Sequence, residues 1–228
     1  MVRLSFAPFS FAGQEWAMAG PRALYWPQER ALLVADLHLE KASWYAAGGQ
    51  MLPPYDSRET LERLGAVAAA ADARRIFCLG DNFHDDAGPT RLEAGAAALL
   101  GALAQGRELV WIAGNHDAQM AGGLPGTCAP LLEVAGLALV HEARPFAQGP
   151  EISGHFHPAL TLEARGRRLR RPCCVASENR LILPAFGALT GTMAAADPAI
   201  VAALQPARAI DALVAVAERV ARYPLWRG

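Results

Sequence analysis

Cysteine is scarce in this chain, and the four present, Cys78, Cys128, Cys173 and Cys174, form no CxxC pair. That excludes a zinc ribbon and a disulfide framework, and reads as buried thiols in a reducing compartment. A basic surplus is also missing: the formal net charge is −1. A polynucleotide ligand would therefore be held by a local patch and not by a global field. No apolar run is long enough to span a bilayer. The richest, residues 94–104, is short and interrupted by Gly95 and Gly101. The apolar start, residues 1–13, is broken by Ser5, Pro8 and Ser10. It lacks the unbroken core of a signal peptide and reads as a strand or surface arm. Repeats and long linkers are absent. With 53% hydrophobic residues the chain is too apolar for disorder. The expectation is one soluble cytoplasmic domain over residues 1–228.

What is present is alternation. Residues 31–35, 75–79, 109–113 and 137–140 are short apolar runs that read as buried strands. Between the first two, residues 56–71 carry Leu61, Leu64, Val67, Ala68 and Ala71 at helical spacing, with Asp56 and Glu59 placed as a capping box. Residues 89–104 read as a second helix that starts on proline. Residues 151–153, 160–164, 173–176 and 180–183 read as strands, and residues 210–216 as a strand or a helix. Strands alternating with helices, then strand-rich sequence, point to a mixed α/β domain.

The chemistry sits where these strands end. ALLVA runs into Asp36-Leu37-His38, RIFCL into Gly80-Asp81, LVWIA into Gly114-Asn115-His116-Asp117, LALV into His141, and EIS into Gly154-His155-Phe156-His157. Ligands of open α/β sheets bind beyond the carboxyl ends of strands. In extended backbone, residues two apart share a face, so Asp36 can point with His38 and His155 with His157. Gly80, Gly114 and Gly154 each precede a candidate ligand and would allow close approach. Taken singly, Asp81 or Asn115 could be ordinary helix caps. Together, seven donors exceed what one ion needs, since catalytic zinc takes three protein ligands. Two ions sharing a carboxylate fit better, and mixed oxygen and imidazole donors suit Mn, Fe or Zn.

DLH, GD, GNHD, a lone His and GHFH, in this order, resemble the calcineurin-like metallophosphoesterase superfamily. The longer strings DLHLEK, LPPYD, GDNFHD, GNHD, GHFHP and PAFGALTG resemble the bacterial ligase-associated DNA damage response endonucleases. The resemblance implies a four-layer α/β/β/α sandwich of two sheets flanked by helices. It implies that Asp36, His38 and His157 hold one ion, Asn115, His141 and His155 the other, and that Asp81 bridges. His116 would be an acid or a stabiliser of phosphoryl oxygens, oriented by Asp117; the rival for His116 is metal ligation. Manganese would be the metal, a DNA phosphodiester the substrate, and a DNA ligase or helicase repair system the associate. Two ions about 3.5–4 Å apart can activate a water and clamp an attacked phosphate. Many superfamily members carry GDxxD, whereas here the next acid is Asp85, which leaves His84, Asp85 and Asp86 without an implied role.

Three further features stay open on sequence. Lys41 is either a phosphate contact or a solvated lysine, and His84 lines the pocket or supports it. Arg165, Arg167, Arg168, Arg170 and Arg171 are either a nucleic-acid contact or a solvated hairpin turn around Gly166. Trp44 and Tyr45 stack on a base or pack in a loop. The rivals to a DNA phosphodiesterase are a small-molecule phosphodiesterase or phosphatase and a non-catalytic metal-bearing scaffold.

Overall fold

The computed structural model describes residues 4–120, 123–164 and 166–228. Residues 1–3 of the apolar start and Arg165 of the basic run lie outside the described residues.

The chain opens with an antiparallel meander of β1 (Phe6–Phe11), β2 (Gln14–Ala19), β3 (Ala23–Trp26) and β4 (Ala31–Val34). Helices α1 (Lys41–Ala47) and α2 (Asp56–Ala70) lead to β5 (Arg75–Leu79), which lies parallel to β4. Helices α3 (Gly88–Arg91) and α4 (Ala94–Ala104) lead to β6 (Glu108–Ile112), and β7 (Thr127–Ala129) closes a seven-stranded sheet in sequence order.

The second sheet contains β8 (Leu132–Val134), β9 (Leu137–Leu139), β10 (Glu151–Ser153), β13 (Cys174–Ala176), β14 (Arg180–Ile182), β16 (Ala209–Val216) and β17 (Arg219–Arg227). Residues 210–216 are therefore strand, paired on both sides with β13 and β17. Hairpin β11 (Pro158–Ala164) and β12 (Arg167–Pro172) joins the short β15 (Met193–Ala194) in a third, small sheet. Helix α5 (Pro198–Ala203) completes the fold.

Period-two alternation explains the layering. Leu33, Phe77, Leu79, Val110 and Ile112 face a core shared with Leu139, Ile152, Leu181, Leu183 and Leu213 of the second sheet. The intervening Leu32, Ile76, Cys78, Leu109 and Trp111 face the helices and meet Leu61, Leu64, Val67, Leu100 and Leu103. Burial on both faces is why these strands read as continuous apolar runs. The second sheet's outer face carries Cys173, Val175, Ile182, Ala212 and Val214 against Ile200, Ala203 and Leu204. The implied fourth layer of helices is thin: one six-residue helix and the small sheet cover it.

Two helix readings are corrected. Residues 89–104 are not one helix: Leu92 and Glu93 are extended, and the Glu93 carboxylate accepts from Gly95 N–H (2.9 Å) and Ala96 N–H (3.3 Å), starting α4 afresh. Asp56 is not an N-cap. It is the first residue of α2, behind Tyr55, and its Oδ2 accepts from Ala42 N–H at 3.1 Å, tying α1 to α2. Asp56 and Glu59 still place negative charge at the positive end of the helix.

Strands β4 to β7 run parallel, as do β9, β10 and β14. A parallel bridge from Ala35 to Ala185 joins the two sets, so both open at the same end.

Candidate metal centre

Asp36, Asp81, His141 and His155 each stand two residues beyond β4, β5, β9 and β10, and Asn115 stands three beyond β6. Five parallel strands thus deliver five donors to one end of the molecule. The two-residue spacing predicts extended backbone here, and the structure differs. Asp36, His38, Asp81, His155 and His157 all have positive φ, between 44° and 74°. Each left-handed residue costs about 1–3 kcal/mol and persists only where its surroundings over-determine it. Here they do. Asp36 N–H donates to Gly80 O (3.2 Å), His38 N–H to Asp81 O (2.8 Å) and Leu39 N–H to Asn82 O (2.9 Å). The Asp36 carboxylate accepts from His155 N–H at 3.1 and 3.0 Å. Asp36 and His38 do converge, through alternating left-handed residues and not through a pleat, whereas His155 and His157 go to different groups.

The side chains form two groups. Asp36, His38 and His157 place ligand atoms within 4.8 Å of one another, and so do Asp81, His141 and His155. In the first, His38 Nε2 lies 3.4 Å from His157 Nε2, and His157 Nε2 lies 3.6 Å from Asp36 Oδ1. In the second, His141 Nε2 lies 3.1 Å from His155 Nδ1, 3.4 Å from Asp81 Oδ1 and 2.8 Å from Asn115 Oδ1. Two ligands at a tetrahedral angle on bonds of about 2.1 Å stand about 3.4 Å apart. The separations of 3.4–3.6 Å match that spacing, while His155 Nδ1 at 3.1 Å and Asn115 Oδ1 at 2.8 Å stand closer to His141 Nε2. Asp81 divides its oxygens: Oδ1 faces His141, while Oδ2 lies 3.7 Å from His38 Nε2. Leu79 O lies 3.2 Å from His141 Nδ1 and accepts a hydrogen bond from Nδ1–H, which leaves the Nε2 lone pair for the site.

Burial is deep: Asp36 and Asp81 are 0% and 3% exposed. Desolvation, then the charges of His157, Lys41, His116 and His84, hold the His38 imidazole down at about 2, so the ring is neutral and able to ligate. His84 is held down at about 4, by desolvation first and then by Lys41 and His116. A third group, His38, His84 and His116, contains no carboxylate.

His116 is half-exposed, with Nε2 4.0 Å from Asp81 Oδ2. Its backbone N–H donates to Asp81 Oδ1 at 3.0 Å. Asp117 does not orient it. The buried Asp117 carboxylate instead accepts backbone N–H groups from Asn82 (2.7 Å), Phe83 (3.1 Å) and Gly114 (2.9 Å), clipping the β5 and β6 loops together. Desolvation raises the Asp117 carboxyl, opposed by those hydrogen bonds. What fixes the His116 ring is the His84 carbonyl, 3.0 Å from Nδ1. Main-chain partners of this kind leave no signature in sequence.

His84 stacks on His116 (ring centroids 5.0 Å apart) and on Tyr45 (6.1 Å), and meets Trp44 edge-on at 4.8 Å. Trp44 and Tyr45 line a cleft of ≈ 550 Å³ with Gln50, Asp85 and Arg91. Asp85 and Asp86 are structural ties: Asp85 holds Arg91 through two hydrogen bonds (3.1 and 2.5 Å), and Asp86 accepts from Gln119 N–H (2.8 Å). Lys41 opens α1, and its ammonium is lowered by burial and raised by Asp56 and Asp81. It is the sole lysine in the chain. In a sequence that uses arginine everywhere else, that choice was a legible signal for a special position. The PAFGALTG string backs the Asp36 loop: Phe186 N–H donates to Ala35 O (2.8 Å) and Gly187 N–H to Asp36 O (3.1 Å).

Gly114 has no room for a side chain. A Cβ there would sit 2.2 Å from both Asp81 N and Asp81 Oδ1. Gly114→Ala is expected to destabilise the fold by about 1–3 kcal/mol and to lower metal content by displacing Asp81. Thermal unfolding and metal analysis of the purified variant check both.

A family model described as calcineurin-like phosphoesterase matches residues 29–159, more than half of the chain. The solved structure of a Pseudomonas putida nuclease, MPE, is similar with a TM-score of 0.70 and 32% identity, covering 96% of this chain and 100% of that one. A search of curated proteins found no significant match. Among the described residues no helix is long and apolar enough to cross a membrane.

Proposed function

The chain belongs to the calcineurin-like phosphoesterase family and is a metal-dependent phosphoesterase, and we propose that it is a dinuclear nuclease acting on DNA. In this reading Asp36, His38 and His157 hold one divalent ion, Asn115, His141 and His155 hold the other, and Asp81 bridges them. The observation that carries it is the division of the Asp81 carboxylate, with Oδ1 toward His141 and Oδ2 toward His38. Asp81 brings one oxygen toward the free Nε2 of His141 and the other toward Nε2 of His38, whereas Asp36 Oδ1, near His157 Nε2, approaches His141 only at the Nδ1 that Leu79 O engages (3.8 Å). Manganese fits the mixed imidazole and carboxylate donors. When bound, the ions supply Lewis-acid polarisation of the phosphate and a nucleophile from water near neutral pH.

The chain's own residues do the rest. His116 meets the scissile phosphodiester and donates a proton from Nε2 to the departing oxygen. With Nδ1–H engaged on the His84 carbonyl, Nε2 carries a proton only in the charged ring. Lys41 supplies positive charge to the phosphate, and His84 lines the strand's path while presenting its carbonyl to His116. The choice of a nucleic acid over a small ester rests on the similarity to the Pseudomonas nuclease over nearly the whole chain.

A substrate panel with manganese-loaded protein tests this. It would hold single-stranded DNA, duplex DNA, RNA, cyclic nucleotides, bis-p-nitrophenyl phosphate and p-nitrophenyl phosphate. Cleavage of DNA together with the diester is the expected outcome. Hydrolysis of small esters alone would replace the nuclease reading with a small-molecule phosphodiesterase, the reading that the formal net charge of −1 favours.

A further inference from the structure

The β11–β12 hairpin grows directly out of the metal centre. His157 is a candidate ligand, and Pro158 starts β11. Met193 N–H donates to His157 O at 3.0 Å, so β15 pins the base of the hairpin beside the site. From there β11 and β12 pair residue for residue, from Ala159 with Pro172 out to Ala164 with Arg167, and Gly166 turns the chain with φ 71°. Opposed residues share a face. Leu160 and Leu162 on β11 are partly buried, so Arg171 and Leu169 opposite them lie on that side. Thr161 and Glu163 are exposed, and Arg170 and Arg168 stand opposite them on the outer face.

The charge on this strand is unmatched. Arg167, Arg168, Arg170 and Arg171 are all exposed. Among the described residues none of them forms an ion pair. Elsewhere Arg30, Arg58, Arg63, Arg74, Arg75, Arg91, Arg144, Arg180 and Arg227 form ion pairs, while among the described residues Arg22, Arg107, Arg208, Arg219 and Arg222 do not. Glu163, the one acid opposite the run, makes no ion pair with Arg168, its register partner. Arg170 is held in place by Thr192 O at 3.1 Å. A chain of formal net charge −1 thus sets four exposed guanidinium groups without ion pairs on one strand of a ribbon rooted at its candidate active site. Guanidinium forks match phosphate oxygens, and such contacts hold a polyanion without reading its bases.

We propose that the β11–β12 ribbon is the docking track for the phosphate backbone of a single nucleic-acid strand as it leaves the metal centre. The proposal rests on the nuclease reading and adds to it where the substrate lies. Cleavage of a strand long enough to reach the ribbon then depends on Arg168 and Arg170, and that dependence weakens with salt. A small diester has no strand to lie there and reports on the metal centre alone.

The experiment compares manganese-loaded wild-type protein with the Arg168→Gln/Arg170→Gln double variant, whose changes are on the surface. kcat/KM is measured for a long single-stranded oligonucleotide between roughly 50 and 200 mM salt, and beside it for bis-p-nitrophenyl phosphate. The expected result is a several-fold drop in the ratio of oligonucleotide to diester hydrolysis at low salt. The log–log salt slope should be shallower by about 1.4, two phosphate contacts at about 0.7 each. An unchanged ratio and slope in a protein that does cut the oligonucleotide overturns the ribbon and leaves the nuclease reading intact. A wild-type protein that hydrolyses the diester and cuts no nucleic acid overturns both.

Discussion

Asp81→Asn is expected to reduce hydrolysis of every phosphodiester by more than roughly a thousandfold, beyond the 10²–10³ seen when a single stabilising donor is removed. The reason is geometric. Asp81 directs one oxygen toward Nε2 of His141 and the other toward Nε2 of His38, one candidate ligand in each group, so in the proposed function replacing it weakens both ions at once. The replacement is nearly isosteric, which separates chemistry from folding. An Asn oxygen can still accept from His116 N–H, now 3.0 Å from Asp81 Oδ1, so the β6 loop keeps its anchor. The new amide nitrogen would then take the place of Oδ2, 3.7 Å from His38 Nε2, and present a donor where a lone pair is needed. Metal analysis should show the content falling from about two ions per chain, as a two-metal site requires, toward none, with the unfolding temperature of the metal-free protein nearly unchanged. A variant that kept its full metal content and its activity would remove the bridge from the proposed function.

Much of this arrangement was legible in the sequence because of how the sheets are buried. Strands covered on both faces must be apolar throughout, so the first polar residue after each run marks where the strand leaves the core. Asp36, Asp81, Asn115 and His141 are such residues, and the structure brings them to one end together with His155, whose strand β10 carries the buried polar Glu151 and Ser153. What was not legible was the means. Nothing in DLH or GHFH announces left-handed backbone, because positive φ in Asp and His is imposed by carbonyls and amides from other loops. The same holds for Asp117, whose three partners are main-chain N–H groups of residues 82, 83 and 114. The break at Leu92–Glu93 was hidden because apolar residues continue across it while Glu93 caps from an unfavoured residue type. Helix α1 was missed because it buries only Ala42 and so shows no apolar stripe. Strand β17 was missed because it lies at a sheet edge, with no residue fully buried and Pro224 inside it.

His116→Ala is expected to separate chemistry from metal binding. His116 Nε2 lies 4.0 Å from Asp81 Oδ2, farther than His38 Nε2 at 3.7 Å or His141 Nε2 at 3.4 Å from the same carboxylate. Its ring is half-exposed, and its Nδ1 is engaged by a carbonyl outside both ligand groups. Truncation should therefore leave both ions in place. If His116 donates a proton to the departing oxygen, its loss costs about 10²–10⁴ in rate where that oxygen is a poor leaving group, as on a sugar. An aryl oxide leaves without a proton, so bis-p-nitrophenyl phosphate should lose far less. The measurement is kcat for DNA and for the aryl diester, each with metal content, in wild type and variant. A large loss on DNA with a small loss on the aryl diester identifies an acid. Equal losses on both point instead to stabilisation of the phosphoryl oxygens, which every diester shares. Loss of an ion would make His116 a ligand, the rival reading of its place in GNHD, and would move the proton donor to another group at the site.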